Sequence, residues 1–200
     1  MAAVGNASAV SSGGILRLIS SNNSHITLAS KVAMLYAVVE FRAKFTPAAE
    51  FHAGDRQAMQ QVGWSDAVAT VAEADFCNLT IADFFYALSM RGNNVSHVYL
   101  CSGDGMGSHG GNFGLDATAW HTYKFEWRPN IGGANIRISV DGNVVSGNIP
   151  AAPAGTSGTS SNPMHPLKFK LGSLEDFGDS GGSLEIDWIR IWKLPQSVVN

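Results

Sequence analysis

Trp120-His121-Thr122-Tyr123-Lys124-Phe125-Glu126-Trp127, Asn135-Ile136-Arg137-Ile138-Ser139-Val140 and Leu184-Glu185-Ile186-Asp187-Trp188-Ile189-Arg190-Ile191-Trp192 decide the fold. Each run alternates large apolar with polar residues at period two, the pattern of a strand with one hidden face and one wet face. Asp141-Gly142-Asn143 closes the second run with residues that accept positive φ, as a tight hairpin requires. The second half of the chain therefore reads as antiparallel sheet.

The same period continues outward from these runs. Lys31 to Phe45 puts Ala37, Val39, Phe41, Ala43 and Phe45 on one face and Tyr36, Val38, Glu40, Arg42 and Lys44 on the other. Pro47 ends that strand, since it cannot donate to a ladder. Gly14 to Ile19 reads as a first strand, Ser20 to Ser24 as a turn, and Gln60 to Trp64 and Leu167 to Leu171 as further strands. Phe84 to Arg91 and Val95 to Cys101 read as a hairpin about Gly92-Asn93-Asn94. Ser102 to Gly114, rich in glycine, and Ala151 to Pro166 read as loops, and Ser173 to Gly182 as a turn. Ala48 to Met59 and Ala67 to Ala74 leave helix and coil both open. Many short strands with regular turn signals predict an all-β, two-sheet antiparallel β-sandwich. The large apolar residues would lie between its sheets. The boundaries read as a flexible N-terminal segment over 1–12, a single β-sandwich domain over 13–195 and a C-terminal tail over 196–200.

Composition narrows the function classes. With 45% apolar and 14% charged residues, the chain has the balance of a globular protein. Its 200 residues suffice for a core without staples. A net charge of −3 gives no electrostatic footprint for nucleic acid. No apolar run of about 18 residues is available for membrane insertion. Met1 to Ser12 lacks the basic start and apolar stretch of a secretory leader. That leaves a cytosolic protein or an excised mature domain with an added Met, and low charge with abundant Gly, Ser, Thr and Asn favours the second, a secreted or extracellular domain. Cys77 and Cys101 fit one disulfide or two buried thiols equally well.

Trp-His-Thr-Tyr-Lys-Phe-Glu-Trp-Arg-Pro from Trp120, Ile-Arg-Ile-Ser-Val-Asp-Gly-Asn-Val-Val from Ile136 and the terminal Leu-Glu-Ile-Asp-Trp-Ile-Arg-Ile-Trp from Leu184 resemble the concanavalin A-like lectin/glucanase superfamily. The likeness is closest to laminarinase-like family 16 glycoside hydrolases and laminin-G-like modules. Val38 to Phe45 also resembles that group's first long strand. The resemblance implies a concanavalin A-like jelly roll and a polysaccharide or glycan partner, but it leaves activity open, because the superfamily holds hydrolases, lyases, lectins and adhesion modules.

Family 16 hydrolases carry Glu-x-Asp-x-Glu, which sets three carboxylates on one face of a strand. The outer pair then serves as nucleophile and acid/base across one glycosidic bond. The matching segment here is Glu73-Ala74-Asp75-Phe76-Cys77, with a thiol where the last carboxylate belongs. Missing general acid/base assistance removes about 10²–10⁴-fold in rate. Glu73 and Asp75 are thus the only catalytic candidates, and they read more simply as solvated charges.

The resemblance further implies a structural calcium at Asp187, in the terminal strand, since calcium accepts several oxygens in flexible geometry. The alternative for Asp187 is a cap on a neighbouring loop or a pair with Arg190 or Lys193. For sugar recognition, rings stack on pyranose faces beside polar groups that meet the hydroxyls. Trp64, Tyr86, Arg91, His97 and Tyr99 are the candidates, on the strands that form the superfamily's cleft. Trp120, Trp127, Trp188 and Trp192, set in regular alternation, read as core or sheet cover. Six scattered histidines show no metal-ligand spacing, and no nucleophile elbow or phosphate-binding loop occurs. The reading is a non-catalytic carbohydrate-binding, lectin-like or accessory module. The alternatives are a glycoside hydrolase or polysaccharide lyase with a rearranged site, and a structural or adhesion domain.

Overall fold

Strand β5 (Ala37–Thr46) organises one layer of the protein. A computed structural model describes residues 2–4, 8–19, 25–34, 36–46, 60–65, 84–91, 94–102, 105–108, 115–116, 118–130, 133–150, 168–174 and 183–195. All regular structure among them is β, and none of it is a helix able to cross a membrane. β5 pairs on one side with β10 (His121–Asn130) and on the other with β14 (Ser183–Lys193). β11 (Gly133–Val140) and β12 (Asn143–Pro150) extend the sheet beyond β10; β3 (Ile15–Ile19) and β2 (Ser8–Ser12) extend it beyond β14. All six neighbour pairs of this seven-stranded sheet are antiparallel.

A second sheet, in the order β1 (Ala2–Val4), β4 (His25–Ala29), β13 (Lys168–Leu174) and β6 (Gln60–Ser65), packs against it. A third, of β7 (Phe84–Arg91), β8 (Asn94–Ser102) and β9 (Gly105–Ser108), has β7 lying alongside β6. The two-sheet antiparallel sandwich expected from the alternation is thus the fold.

The core follows from the alternation in β5 and β10. Val39, Phe41, Ala43, Phe45, Tyr123 and Phe125 are all buried between the layers. Phe41 stacks on Tyr123 at 5.3 Å and on Phe125 at 6.0 Å between ring centroids. Phe169 of β13 meets Phe41 at 6.3 Å and Phe125 edge-on at 6.2 Å. Each such aromatic pair adds about 0.5–1.5 kcal/mol beyond the area it buries. Since Phe169 comes from the opposite sheet, these rings clamp the two layers together.

Several segments differ from the sequence reading. Residues 1–12, expected to be a flexible lead, contain β1 and β2, paired with β4 and β3. Small residues there give no apolar alternation to read. Gly13 and Gly14 join β2 to β3 with φ of 59° and 82°, the positive values of a type I′ hairpin. The long strand begins at Ala37 and not near Lys31, because Tyr36 adopts φ 62°, a left-handed conformation uncommon for a bulky residue. The Leu194 N–H donates to the Tyr36 carbonyl at 3.1 Å, tying this kink to the chain beyond β14. Gly105–Ser108, read as loop, is β9. Ala48–Met59, Ala67–Ala74 and Ala151–Pro166 lie outside the described residues.

The hairpin at Asp141-Gly142 is present as expected, with φ of 49° and 81°. Asp141 pins it to the start of β10. Its Oδ1 accepts from the Thr122 N–H at 2.9 Å, and its Oδ2 lies 2.6 Å from His121 Nδ1. His121 Nε2 lies 2.8 Å from the Asp116 carbonyl, so both ring nitrogens face oxygen acceptors.

Two outcomes are expected. The Tyr123 hydroxyl is buried without a hydrogen-bond partner among the described residues, and burial pushes its pKa far up. Tyr123→Phe removes that unsatisfied group, so chemical denaturation should show equal or higher stability, by up to about 1 kcal/mol. For Asp141, burial acts to raise the pKa, but the Thr122 N–H and His121 outweigh it and hold the carboxyl below its usual value. A depressed folded pKa contributes stability that is present above the unfolded value, about 3.9. That stability is lost as pH falls through the folded value. Thermal melts on acidification should therefore show a steeper loss below about pH 4 for the native chain than for Asp141→Asn.

Candidate functional site

The five residues assigned to sugar binding fall on three adjacent strands: Trp64 on β6, Tyr86 and Arg91 on β7, His97 and Tyr99 on β8. Register divides them. Tyr99 pairs with Ala87 and His97 with Ser89, and Arg91 follows Ala87 and Ser89 at period two, so Arg91, His97 and Tyr99 share one face. Tyr86 pairs with Leu100 and belongs to the other. Trp64 is the partner of Phe169, on the face of β13 that carries the core. The side chains of these five residues lie outside the described ones, as do Glu73, Asp75 and Cys77 altogether.

Asp187 is the extra residue of a β-bulge. Ile186 pairs with Ala43 and Trp188 with the next residue, Arg42, so Asp187 has no partner of its own. Its Oδ2 accepts from Arg42 Nη1 at 2.7 Å; the expected partners were Arg190 or Lys193. Among the described residues no group of three His, Cys, Asp or Glu could hold a metal. The Asp187 carboxylate is thus held by a guanidinium at this position.

The bulge resets the alternation. Before it, Leu184 and Ile186 face the core; after it, Ile189 and Ile191 sit opposite core residues Phe41 and Val39. Trp188, Arg190 and Trp192 turn to the outer face of the seven-stranded sheet, opposite Arg42, Glu40 and Val38. There the Arg190 guanidinium lies 4.5 Å from the centre of the Trp188 ring. Trp120 has Arg42 at 5.0 Å and Lys44 at 5.4 Å. Trp192, read as core or cover, is 45% exposed.

Two depressions meet on this outer face. One, of about 350 Å³, is lined by Val38, Glu40, Lys124, Arg128, Trp192 and Leu194. The other, of about 250 Å³, shares Glu40 and Lys124 and adds Thr122, Glu126, Arg137 and Ser139. Together they form a trough across β14, β5, β10 and β11, with a ring at one end and polar groups at the other. Burial acts to raise the pKa of Glu126, yet Arg128 at 2.8 Å and Lys124 at 3.4 Å outweigh it and hold the carboxyl below its usual value. Glu126 is thus an anion at neutral pH and is not set up to give a proton to a leaving oxygen. The sequence does carry the signal for these residues: they occupy the polar parity of β5 and β10, and the switch from Leu184/Ile186 to Ile189/Ile191 marks the bulge.

No protein-family model matches the chain, and no curated protein sequence does. Solved structures share its fold. An endo-acting O-glycanase from the human gut microbiota, described as initiating mucin breakdown, superposes with a TM-score of 0.58 and 14% identity, over 92% of this chain and 81% of its own. A β-1,3-glucanase from Mycobacterium marinum gives 0.52 and 14%, over 89% and 74%. The potassium-bound carbohydrate recognition domain of Emp46p gives 0.58 and 13%, over 94% and 86%. Likeness at this level of identity concerns the fold, and the fold is the concanavalin A-like sandwich. Because Arg42 already occupies Asp187, saturating EDTA is expected to leave the melting temperature unchanged, and added calcium should not raise it; a rise of several degrees on adding calcium would show a cage at this position.

Proposed function

We propose that the chain is a carbohydrate-binding module that holds a polysaccharide without cleaving it. The observation that carries this reading is a conjunction. The fold is shared over about nine-tenths of the chain with glycanases and a carbohydrate recognition domain, whereas the carboxylate motif of the resembling hydrolases ends in Cys77. A retaining hydrolase needs two carboxyl groups, one protonated, across the scissile bond. Glu73 and Asp75 supply two of the three motif positions and lack the last.

The proposed cleft lies on the face of β7 and β8 that carries Arg91, His97 and Tyr99. A ring, an imidazole and a guanidinium placed on one face are what a pyranose needs: a flat apolar surface for its C–H face and donors and acceptors for its hydroxyls. Tyr86 and Trp64, on other faces by register, serve packing in this reading. An extracellular setting belongs to the same proposal, since polysaccharides of this kind are met outside cells.

The glycanase neighbours keep hydrolysis as the second reading, and one experiment separates the two. Laminarin and lichenan fragments are titrated into the protein by calorimetry, and reducing ends are counted in the same samples. Saturable binding without new reducing ends, weakened about tenfold in His97→Ala or Tyr99→Ala, is expected. Reducing ends that appear with the native chain and vanish in Glu73→Gln would establish the hydrolase instead. No binding of either glucan at millimolar concentration would remove the cleft reading.

A further inference from the structure

The outer face of the seven-stranded sheet carries a charge pattern that the core does not explain. At one end the carboxylates are all held in ion pairs: Arg17 and Lys44 reach Glu185 at 3.0 Å and 3.5 Å, and Arg42 reaches Asp187 at 2.7 Å. At the other end, among the described residues, Lys124, Arg128 and Arg137 line the trough with Glu40 and Glu126. Three cations against two carboxylates leave a surplus of one positive charge in the trough, on a chain whose net charge is −3. Glu126 is engaged by Arg128 and Lys124. Glu40 stands between Lys124 and Arg190 in register, yet it has no ion pair or hydrogen bond among the described residues. The trough that joins these groups ends on the exposed Trp192 ring, flanked by Val38 and Leu194.

We propose that this trough binds an acidic polysaccharide, with one pyranose ring stacked on Trp192 and the acidic groups of the chain held by Arg137, Lys124 and Arg128. The mixture of charges selects this ligand class. A carboxylate or sulfate ester suits the surplus positive charge. Glu40 and Glu126 are acceptors only, so they call for a ligand that also donates, as sugar hydroxyls do. A purely acidic peptide segment would meet Glu40 as a like charge. The trough crosses from β14 to β11, three strand spacings or about 14 Å, which is room for more than one sugar unit. It lies on a different sheet from the β7–β8 face and stands independently of that cleft.

The test uses the intact protein and a size-defined oligogalacturonide, titrated by calorimetry at low and at high salt. Laminarin fragments and a poly-glutamate peptide serve as comparators. Binding of the oligogalacturonide that weakens with salt is expected. Trp192→Ala should lower its affinity about tenfold or more, and Arg137→Glu should lower it mainly at low salt. Both sites are exposed, so thermal melts of the two variants should match the native chain. His97→Ala should leave oligogalacturonide binding intact while weakening laminarin binding, which separates this site from the cleft. The proposal is overturned if the oligogalacturonide does not bind, if it binds both variants as tightly as the native chain, or if poly-glutamate binds the trough equally well.

Discussion

Everything in this protein depends on the alternation of β5, which turns Val39, Phe41, Ala43 and Phe45 to the core and Val38, Glu40, Arg42 and Lys44 to the other face. Because β5 lies between β10 and β14, its hidden face fixes the inward parity of both neighbours. The rings of Phe41, Tyr123 and Phe125 form one surface, and Phe169 from the opposite sheet closes on it. A slip of one residue in either pairing would exchange every buried ring for a charged side chain. Register is therefore set by the core, and the outer face is left to vary.

That freedom has a functional consequence. The bulge at Asp187 lets β14 keep an apolar inner face through Ile189 and Ile191 while turning Trp188, Arg190 and Trp192 outward. Without the extra residue the tryptophans would compete for the core and the isoleucines would face water. Arg42 holds the bulge by its contact with Asp187. A residue that resembles a calcium ligand in the sequence thus marks a change of frame in the structure. The same displacement exposes an aromatic ring beside a surplus positive charge, which is a surface suited to an acidic, hydroxylated partner.

The central strands were legible because large residues alternate there without interruption. Asp141-Gly142 was legible because it carries the one turn chemistry that a two-residue hairpin accepts. The edge strands were not. Ala2–Val4, Ser8–Ser12 and Gly105–Ser108 contain small residues, and no periodicity reveals them. Gly13-Gly14 was a readable hairpin signal, but it was hidden by the absence of apolar alternation before it. Tyr36 was placed in a strand because composition does not show that its backbone turns left-handed. For the candidate sugar-binding residues the sequence carries type and not face. Nothing in Tyr86 and Tyr99 themselves distinguishes the two faces of a hairpin whose register depends on a bulge near Val95.

Both layers form one cooperative core clamped by four rings, Phe41, Tyr123, Phe125 and Phe169. Amide hydrogen exchange of the intact protein, read strand by strand, tests this most directly. Amides of β13, which belongs to the layer opposite β5, should exchange as slowly as those of β5 and β10 and with the same opening free energy, because Phe169 ties the layers. Exchange of β4, β13 and β6 through a separate, lower-energy opening while β5, β10 and β14 stay protected would contradict it.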